Sequence, residues 1–201
     1  NKATGTASVS LRGLGGTRTL VLLNGKRLSP GTPMNGTAEQ DLSQIPFSLI
    51  KKVDVLTGGK STIYGSDAIG GVMTFKTKDP VLSRKDKVMV IGNAYSRYFS
   101  AASGFASNAH VSVGNKKLGS LTSFTYSSFG DLRQGSKRLS IADGFGERNW
   151  YVSRVNGVDS MLENSDSNLQ IGSGYSQYDI LQKFIYKPKK HVLHKLNFQL
   201  S

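Results

Sequence analysis

At 201 residues the chain could form one or two ordinary domains, and having no cysteine it can build neither a disulfide framework nor a thiolate metal site. Its 26 lysines and arginines against 13 aspartates and glutamates give +13, a balance that in a soluble protein raises nucleic acid as a partner. The cations, however, are scattered. Lys51-Lys52, Lys116-Lys117 and Lys187 to Lys190 lack the aromatic interleaving of a single-strand-binding surface, so solvated turns explain them better and no nucleic-acid partner is expected. No apolar run approaches the length of a membrane-spanning helix, and residues 1–20 lack the apolar core of a signal peptide.

In chain order, Ala7 to Leu11 is a short strand candidate, followed by the glycine-rich loop Arg12 to Arg18. Gly13 and Gly15 begin a dinucleotide fingerprint, but its third glycine would fall at Arg18, whose side chain obstructs close helix-to-strand packing. Thr19 to Leu28 (TLVLLNGKRL) holds four consecutive apolar residues, the mark of a strand buried on both faces, and Asn24-Gly25 is a two-residue hairpin signal. Ser29 to Asp41 is a polar loop; Leu42 to Ile50 suits a short helical turn at Pro46. Val53, Val55 and Leu56 read as a short buried strand, and Val72 to Thr77 as another. Between them five glycines favour a compact, loop-rich knot over a long helix. Gly59-Lys60-Ser61 has the tail of a phosphate-binding loop, but the position of its first glycine is Asp54. Leu20 to Leu23, Val53 to Leu56 and Val72 to Phe75 are expected in one small mixed sheet.

After Pro80 the texture changes to longer segments of two-residue periodicity. In His191 to Ser201, Val192, Leu196, Phe198 and Leu200 share one face, and Lys195, Asn197 and Gln199 the other. Noisier segments of the same kind are Lys87 to Tyr98, Phe105 to Gly114, Leu118 to Phe129, Trp150 to Val158 and Tyr175 to Pro188, about six strands in all. Aromatic residues such as Tyr95, Phe124, Trp150 and Phe184 lie in or near these strands, as interfacial girdles require. Leu132 to Glu147 and Gly157 to Gly174 read as long polar loops. Alternation alone suits a soluble β-sandwich as well as a barrel in lipid.

Nothing in the pattern supports catalysis. His191 and His194, three apart in an extended strand, point to opposite faces, so they do not form a two-histidine metal site. His110 stands alone in a strand, and no carboxylate pair has acid–base spacing. No catalytic residue, metal ligand or cofactor is assigned, and the chain is not expected to be an enzyme.

Two blocks carry a specific resemblance. Ser8-Val9-Ser10-Leu11-Arg12-Gly13, a loop, then Arg18-Thr19-Leu20-Val21-Leu22-Leu23-Asn24-Gly25 is similar to the I-R-G, loop, L-V-L-I-D-G pattern of the plug domain of TonB-dependent outer-membrane receptors. Val53 to Val72 (VDVLTGGKSTIYGSDAIGGV) resembles the closing segment of the same plug, roughly V-E-V-L-R-G-x-x-S-x-L-Y-G-x-x-A-I-G-G-V. The resemblance implies a mostly β chain: a small α+β plug domain at residues 1–80, then at 81–201 the first antiparallel strands of a 22-stranded transmembrane β-barrel. Such a chain is incomplete, and Asn1 is expected to lie inside a longer mature protein.

The implied function is an outer-membrane receptor of a Gram-negative bacterium that imports haem, a ferric siderophore or cobalamin. The implied partners are TonB and its inner-membrane motor complex, a small-molecule or haem-type ligand, membrane lipid and, at the surface, a lipoprotein. Tyr64-Gly65-Ser66-Asp67-Ala68 favours the branch for metal chelates, haem and cobalamin over the glycan branch, and Ser173 to Ser201 is similar to early strands of haem receptors. A receptor-like scaffold without small-molecule transport is the alternative. Outward plug loops correspond to Gly13–Arg18 and Pro30–Gln40, which makes Leu14, Thr17, Arg18, Met34 and Asn35 the implied ligand contacts. Thr57 departs from the arginine many members carry, which leaves Arg12 and Arg18 as candidates for a pair with a barrel carboxylate. Lys195, Asn197 and Gln199, or their neighbours on the inward face of Tyr175 to Pro188, are expected to meet the plug through hydrated, individually weak polar contacts.

Overall fold

The computed structural model describes residues 9, 11, 13–14, 18–28, 42, 45, 47–57, 61–137 and 144–200. They fall into two compact units, one drawn from residues 5–94, 108–125 and 179–201, the other from 95–107 and 126–178.

The first unit contains a four-stranded mixed sheet in the order β2-β1-β4-β3, from β1 (Thr19–Leu23), β2 (Lys26–Arg27), β3 (Ile50–Leu56) and β4 (Gly71–Thr77). β1 runs parallel to β4 and β3 antiparallel to it, as expected for the three apolar segments. The apolar run of β1 is explained by a core on either side. Val21 and Leu23 pack with Leu28, Leu42, Ile45 and Phe75, while Leu20 packs with Ala68 and Val72. Each such aliphatic side chain contributes roughly 1.5–3 kcal/mol when buried.

Asn24 and Gly25 both take positive φ, 52° and 84°, in the hairpin joining β1 to β2. The Asn24 side chain also secures the end of β4. Its amide donates to the Thr77 hydroxyl (2.9 Å) and its carbonyl accepts from the Thr77 N–H (3.0 Å).

One expectation needs correction here. β3 begins three residues before Val53 and occupies the sheet edge, so Val53 and Val55 are 44% and 48% exposed rather than buried. Ala7 to Leu11 lies mostly outside the described residues; Leu11 makes only a bridge to Leu14. The helical turn foreseen near Pro46 is a 3-10 turn at Phe47–Leu49, and the glycine-rich knot holds the four-residue helix α1 (Ser61–Tyr64) and a 3-10 turn at Ser66–Ala68. The loop Ser29 to Asp41 is outside the described residues.

A five-stranded antiparallel sheet follows, in the order β13-β12-β7-β6-β5. Its strands are β5 (Met89–Phe99), β6 (Gly104–Gly114), β7 (Leu118–Phe129), β12 (Tyr175–Lys189) and β13 (Val192–Leu200). Within the first unit the two faces differ sharply. Asn108, Ser112, Leu121, Ser123, Leu181, Lys183 and Ile185 are buried on one face, whereas Val111, Val113, Phe124, Ile180 and Phe184 are exposed on the other. Pairing of Leu181 with Gln199, Lys183 with Asn197 and Ile185 with Lys195 puts the polar set of β13 on the covered face, and Leu196, Phe198 and Leu200 on the open one. The register therefore agrees with the periodicity. Pro188 sits at the irregularity between Tyr186 and Lys189, where a missing N–H is tolerated.

Polar groups on the open face are satisfied within the sheet: Gln182 accepts from the Thr122 hydroxyl (2.6 Å) and donates to Ser120 (2.8 Å). On the covered face Asn108, 1% exposed, donates to Ser123 (3.0 Å), the Phe124 carbonyl (3.1 Å) and Thr125 (2.8 Å). Asn108→Leu should leave these acceptors short of a donor and lower stability by about 1–3 kcal/mol, read as a lower midpoint in denaturant melts; Asn108→Ser should lose less.

The second unit corrects the count of long strands. Trp150 to Val158 is not one barrel strand: β9 (Trp150–Val155) turns at Asn156-Gly157 and pairs with β10 (Val158–Glu163) as a separate hairpin. β8 (Leu132–Arg133) pairs with β11 (Leu169–Gln170). Described residues of the expected loops Leu132 to Glu147 and Gly157 to Gly174 are thus paired with each other through β8 and β11. Phe129 stacks between Phe99 and Tyr175, with ring centroids 5.2 and 5.1 Å away.

Candidate functional site

The site is built where β4 leaves the small sheet. The strand ends at Thr77, the Lys78 N–H donates to the Leu49 carbonyl (2.7 Å), and Asp79 emerges against the covered face of β12 and β13. Lys195 donates to one Asp79 oxygen at 2.6 Å, and Lys183 reaches the other at 3.4 Å and the Lys78 carbonyl at 3.0 Å. The Lys183 side chain is only 7% exposed, against 50% for Lys195 and 40% for Asp79. Burial raises the Asp79 carboxyl, but the bond from Lys195 and the charges of Lys183 and Lys195 outweigh it and hold the group below the usual carboxylate range.

Beside this cluster lies a cavity of about 790 Å³, lined on one side by Asn24, Lys26, Asp54 and Lys76 and on the other by Lys183, Lys195 and Asn197. Asp54 is held between Lys52 (2.6 Å) and Lys76 (3.3 Å), and the Lys52 bond chiefly draws its carboxyl below the ordinary range. With Asp79 counted, the lining thus carries four lysines against two aspartates.

Contact between the small sheet and the long strands is not only polar. Leu49 packs with Leu121 and Leu181, all 2% exposed or less. The polar expectation omitted this dry point, which fixes the small sheet where the charges hold it. Lys195 was legible from alternation. Asp79 was missed, although it is the one acid between Asp67 and Asp86; Lys183 falls on the inward face of Tyr175 to Pro188, where a contact was expected, and is the one charged residue between Asp179 and Lys187.

Of the expected ligand residues, the structure brings Leu14 and Arg18 together. Leu11 and Leu14 exchange backbone bonds (3.1 and 3.0 Å), the buried Thr19 hydroxyl donates to the Leu14 carbonyl (2.7 Å), and Gly70 N–H donates to the Arg18 carbonyl (2.8 Å). A Cβ on Gly70 would stand 2.9 Å from that carbonyl and 3.0 Å from Leu14 Cβ, so glycine is what lets the loop lie on the sheet. Leu14 is half-buried and Arg18 exposed. Thr17, Met34, Asn35 and Arg12 lie outside the described residues. Among those described, no group of three or more histidines and carboxylates is placed to hold a metal.

A small glycine-knotted sheet held against the polar face of long amphipathic strands defines a plug and its wall. The family model of the TonB-dependent receptor plug domain matches residues 1–72, so this part of the chain is similar to that family. The fold agrees over nearly the whole chain. The chain is similar to the ferric enterobactin receptor PfeA of Pseudomonas aeruginosa, solved as a mutant with enterobactin (18% identity, TM-score 0.59, 98% of this chain and 28% of that one). It is also similar to the copper transporter OprC (16%, 0.67, 98% and 26%) and to the siderophore receptor PirA of P. aeruginosa (16%, 0.51, 98% and 30%). It therefore spans less than a third of the length of these structures.

Proposed function

We propose that the chain is the plug, residues 1–80, and the first wall strands, residues 81–201, of an outer-membrane receptor of a Gram-negative bacterium. It imports a scarce nutrient, a metal chelate or haem-type ligand, with energy from TonB and its inner-membrane motor. The observation that supports this best is the seating of the plug by Asp79 on Lys183 and Lys195. Such a contact is strong enough to keep a plug in place and, being small and partly exposed, weak enough to be broken by a pull. The open face of β6, β7, β12 and β13 suits lipid, because exposed apolar side chains alternate there with covered polar ones. The enterobactin held by PfeA and the description of OprC as a copper transporter support a metal or its chelate as cargo. The cationic surplus of the cavity suits an anionic one. No chemical step is involved: the ligand binds, the plug rearranges, and the ligand passes between plug and wall.

Ligand contacts are assigned to Leu14, Thr17, Arg18, Met34 and Asn35. The test is titration of the intact receptor with haem, cobalamin and ferric siderophores. Binding of one with saturable affinity supports import, and failure of all three favours the scaffold reading. For a ligand that carries carboxylate or catecholate charge, Arg18→Ala should weaken binding about tenfold, the worth of one charge-assisted hydrogen bond, and Arg18→Lys should weaken it less.

A further inference from the structure

Charge is gathered at one end of the long strands. The Ser83 N–H donates to the Asn115 carbonyl (3.0 Å), the Lys187 N–H to the Lys117 carbonyl (2.7 Å), and Lys116 pairs with Asp86 (2.5 Å). The approach to β5, the β6–β7 turn and the β12–β13 turn therefore form a single rim. Residues 84–87, 115–117 and 187–190 contain eight lysines and arginines and one acid, Asp86. Seven of the eight cations are exposed. By contrast, residues 144–174 carry two arginines against four acids. A second feature begins on the open face above the rim. A mostly apolar groove of about 450 Å³ is lined by Gly92, Ala94, Ala109, Val111 and Phe124, with Asn93, His110 and Thr122. Small side chains make its floor and Phe124 its wall. Val111 is four residues from Asn115, roughly 13 Å at strand rise, a distance an acyl chain covers.

An apolar groove roughly 13 Å along the strand from a cationic rim matches a molecule with an anionic head and a hydrocarbon tail. Nucleic acid would use the rim and leave the slot empty. Free phosphate would do the same. We propose that this rim and groove bind an anionic phospholipid, its phosphodiester among Lys116, Lys117, Lys189 and Lys190 and an acyl chain along Ala109 and Val111. The inference rests on the outer-membrane reading and adds a named lipid class to it. Several adjacent lysines at a membrane surface attract acidic lipid cumulatively, and the attraction is screened by salt.

The test uses the whole receptor, extracted from outer membranes in mild detergent, with the co-purified lipid measured by mass spectrometry. Phosphatidylglycerol should be enriched over phosphatidylethanolamine relative to the bulk membrane, and K116Q/K117Q/K189Q/K190Q should reduce that enrichment at least tenfold. The four arginine replacements should retain it. Should the glutamine variant not assemble, the wild-type receptor washed at high salt must lose its phosphatidylglycerol selectivity. Phosphatidylglycerol at the bulk ratio, unchanged enrichment in the glutamine variant or under high salt, or enrichment of lipid A instead would overturn the proposal. A receptor that never reaches the outer membrane overturns the localisation as well, whereas one that is assembled there without selectivity overturns the lipid site alone.

Discussion

Asp79→Asn should destabilise the plug–wall contact far more than Lys183→Met, although the two residues share one interaction. Removing the carboxylate leaves the Lys183 ammonium in a site where only 7% of the side chain is exposed, with the Lys78 carbonyl as its remaining strong acceptor. Breaking a buried pair from one side typically costs about 3–5 kcal/mol. The low end, about 3 kcal/mol, is expected because Asp79 is 40% exposed and the carbonyl stays. Removing the lysine strands nothing, since Asp79 keeps Lys195 as a partner near solvent. Lys183→Met should therefore shift stability by about 1 kcal/mol or less. Thermal melts of the intact receptor compare the two, and equal losses would show that Lys183 is not held by Asp79.

The same group sets a dependence on pH. The folded Asp79 pKa lies below the ordinary value, so its contribution is present above the carboxylate range and disappears as pH falls through the depressed value. The gap between wild type and Asp79→Asn should stay constant from neutral pH down to about 5 and close below about 4, where the unfolded carboxyl protonates. A gap that instead opened on acidification would reverse the assignment of sign.

The fold was most legible where one local signal and one tertiary role coincide. The apolar run of β1 has a core on both faces, and Asn24-Gly25 supplies the two positive φ values its hairpin needs. The end of the chain was equally clear, because strict alternation matches a sheet with one covered face. Trp150 to Val158 was misread because its apolar residues hid a second turn dipeptide, Asn156-Gly157, of the kind recognised at Asn24-Gly25. Val53 and Val55 look like core, but an edge strand leaves them exposed, and edge position is decided by the order of pairing. The site was half legible. Lys195 follows from the strand period, whereas an aspartate before a proline reads locally as a turn residue; that Asp79 serves as an anchor emerges only once β4 is set against β12.

Gly71→Ala should be the most damaging single-methyl change in the plug, while Gly25→Asn should be nearly silent, even though both glycines have positive φ. Gly71 begins β4 at φ 137°, and a Cβ there would stand 2.7 Å from the Leu56 carbonyl oxygen and 3.0 Å from Leu11 Cδ1. The first neighbour is backbone of the paired strand β3, so it cannot swing aside. A side chain at such a φ costs about 1–3 kcal/mol, and forced overpacking adds about 1–3 kcal/mol. Gly25 has φ 84° and nothing within 4 Å of its Cβ position, so a side chain there meets backbone strain alone, which asparagine tolerates better than most residues. Because Gly70 meets Leu14 and donates to the Arg18 carbonyl, displacement of β4 should reach those two residues. Gly71→Ala is therefore expected to lower the melting midpoint of the plug, to hasten proteolysis between residues 11 and 18, and to weaken ligand binding together with these. Gly25→Asn should change none of the three. Similar behaviour of the two variants would mean that the β3–β4 junction has room for a side chain, and that the glycine pair is not what holds the loop on the sheet.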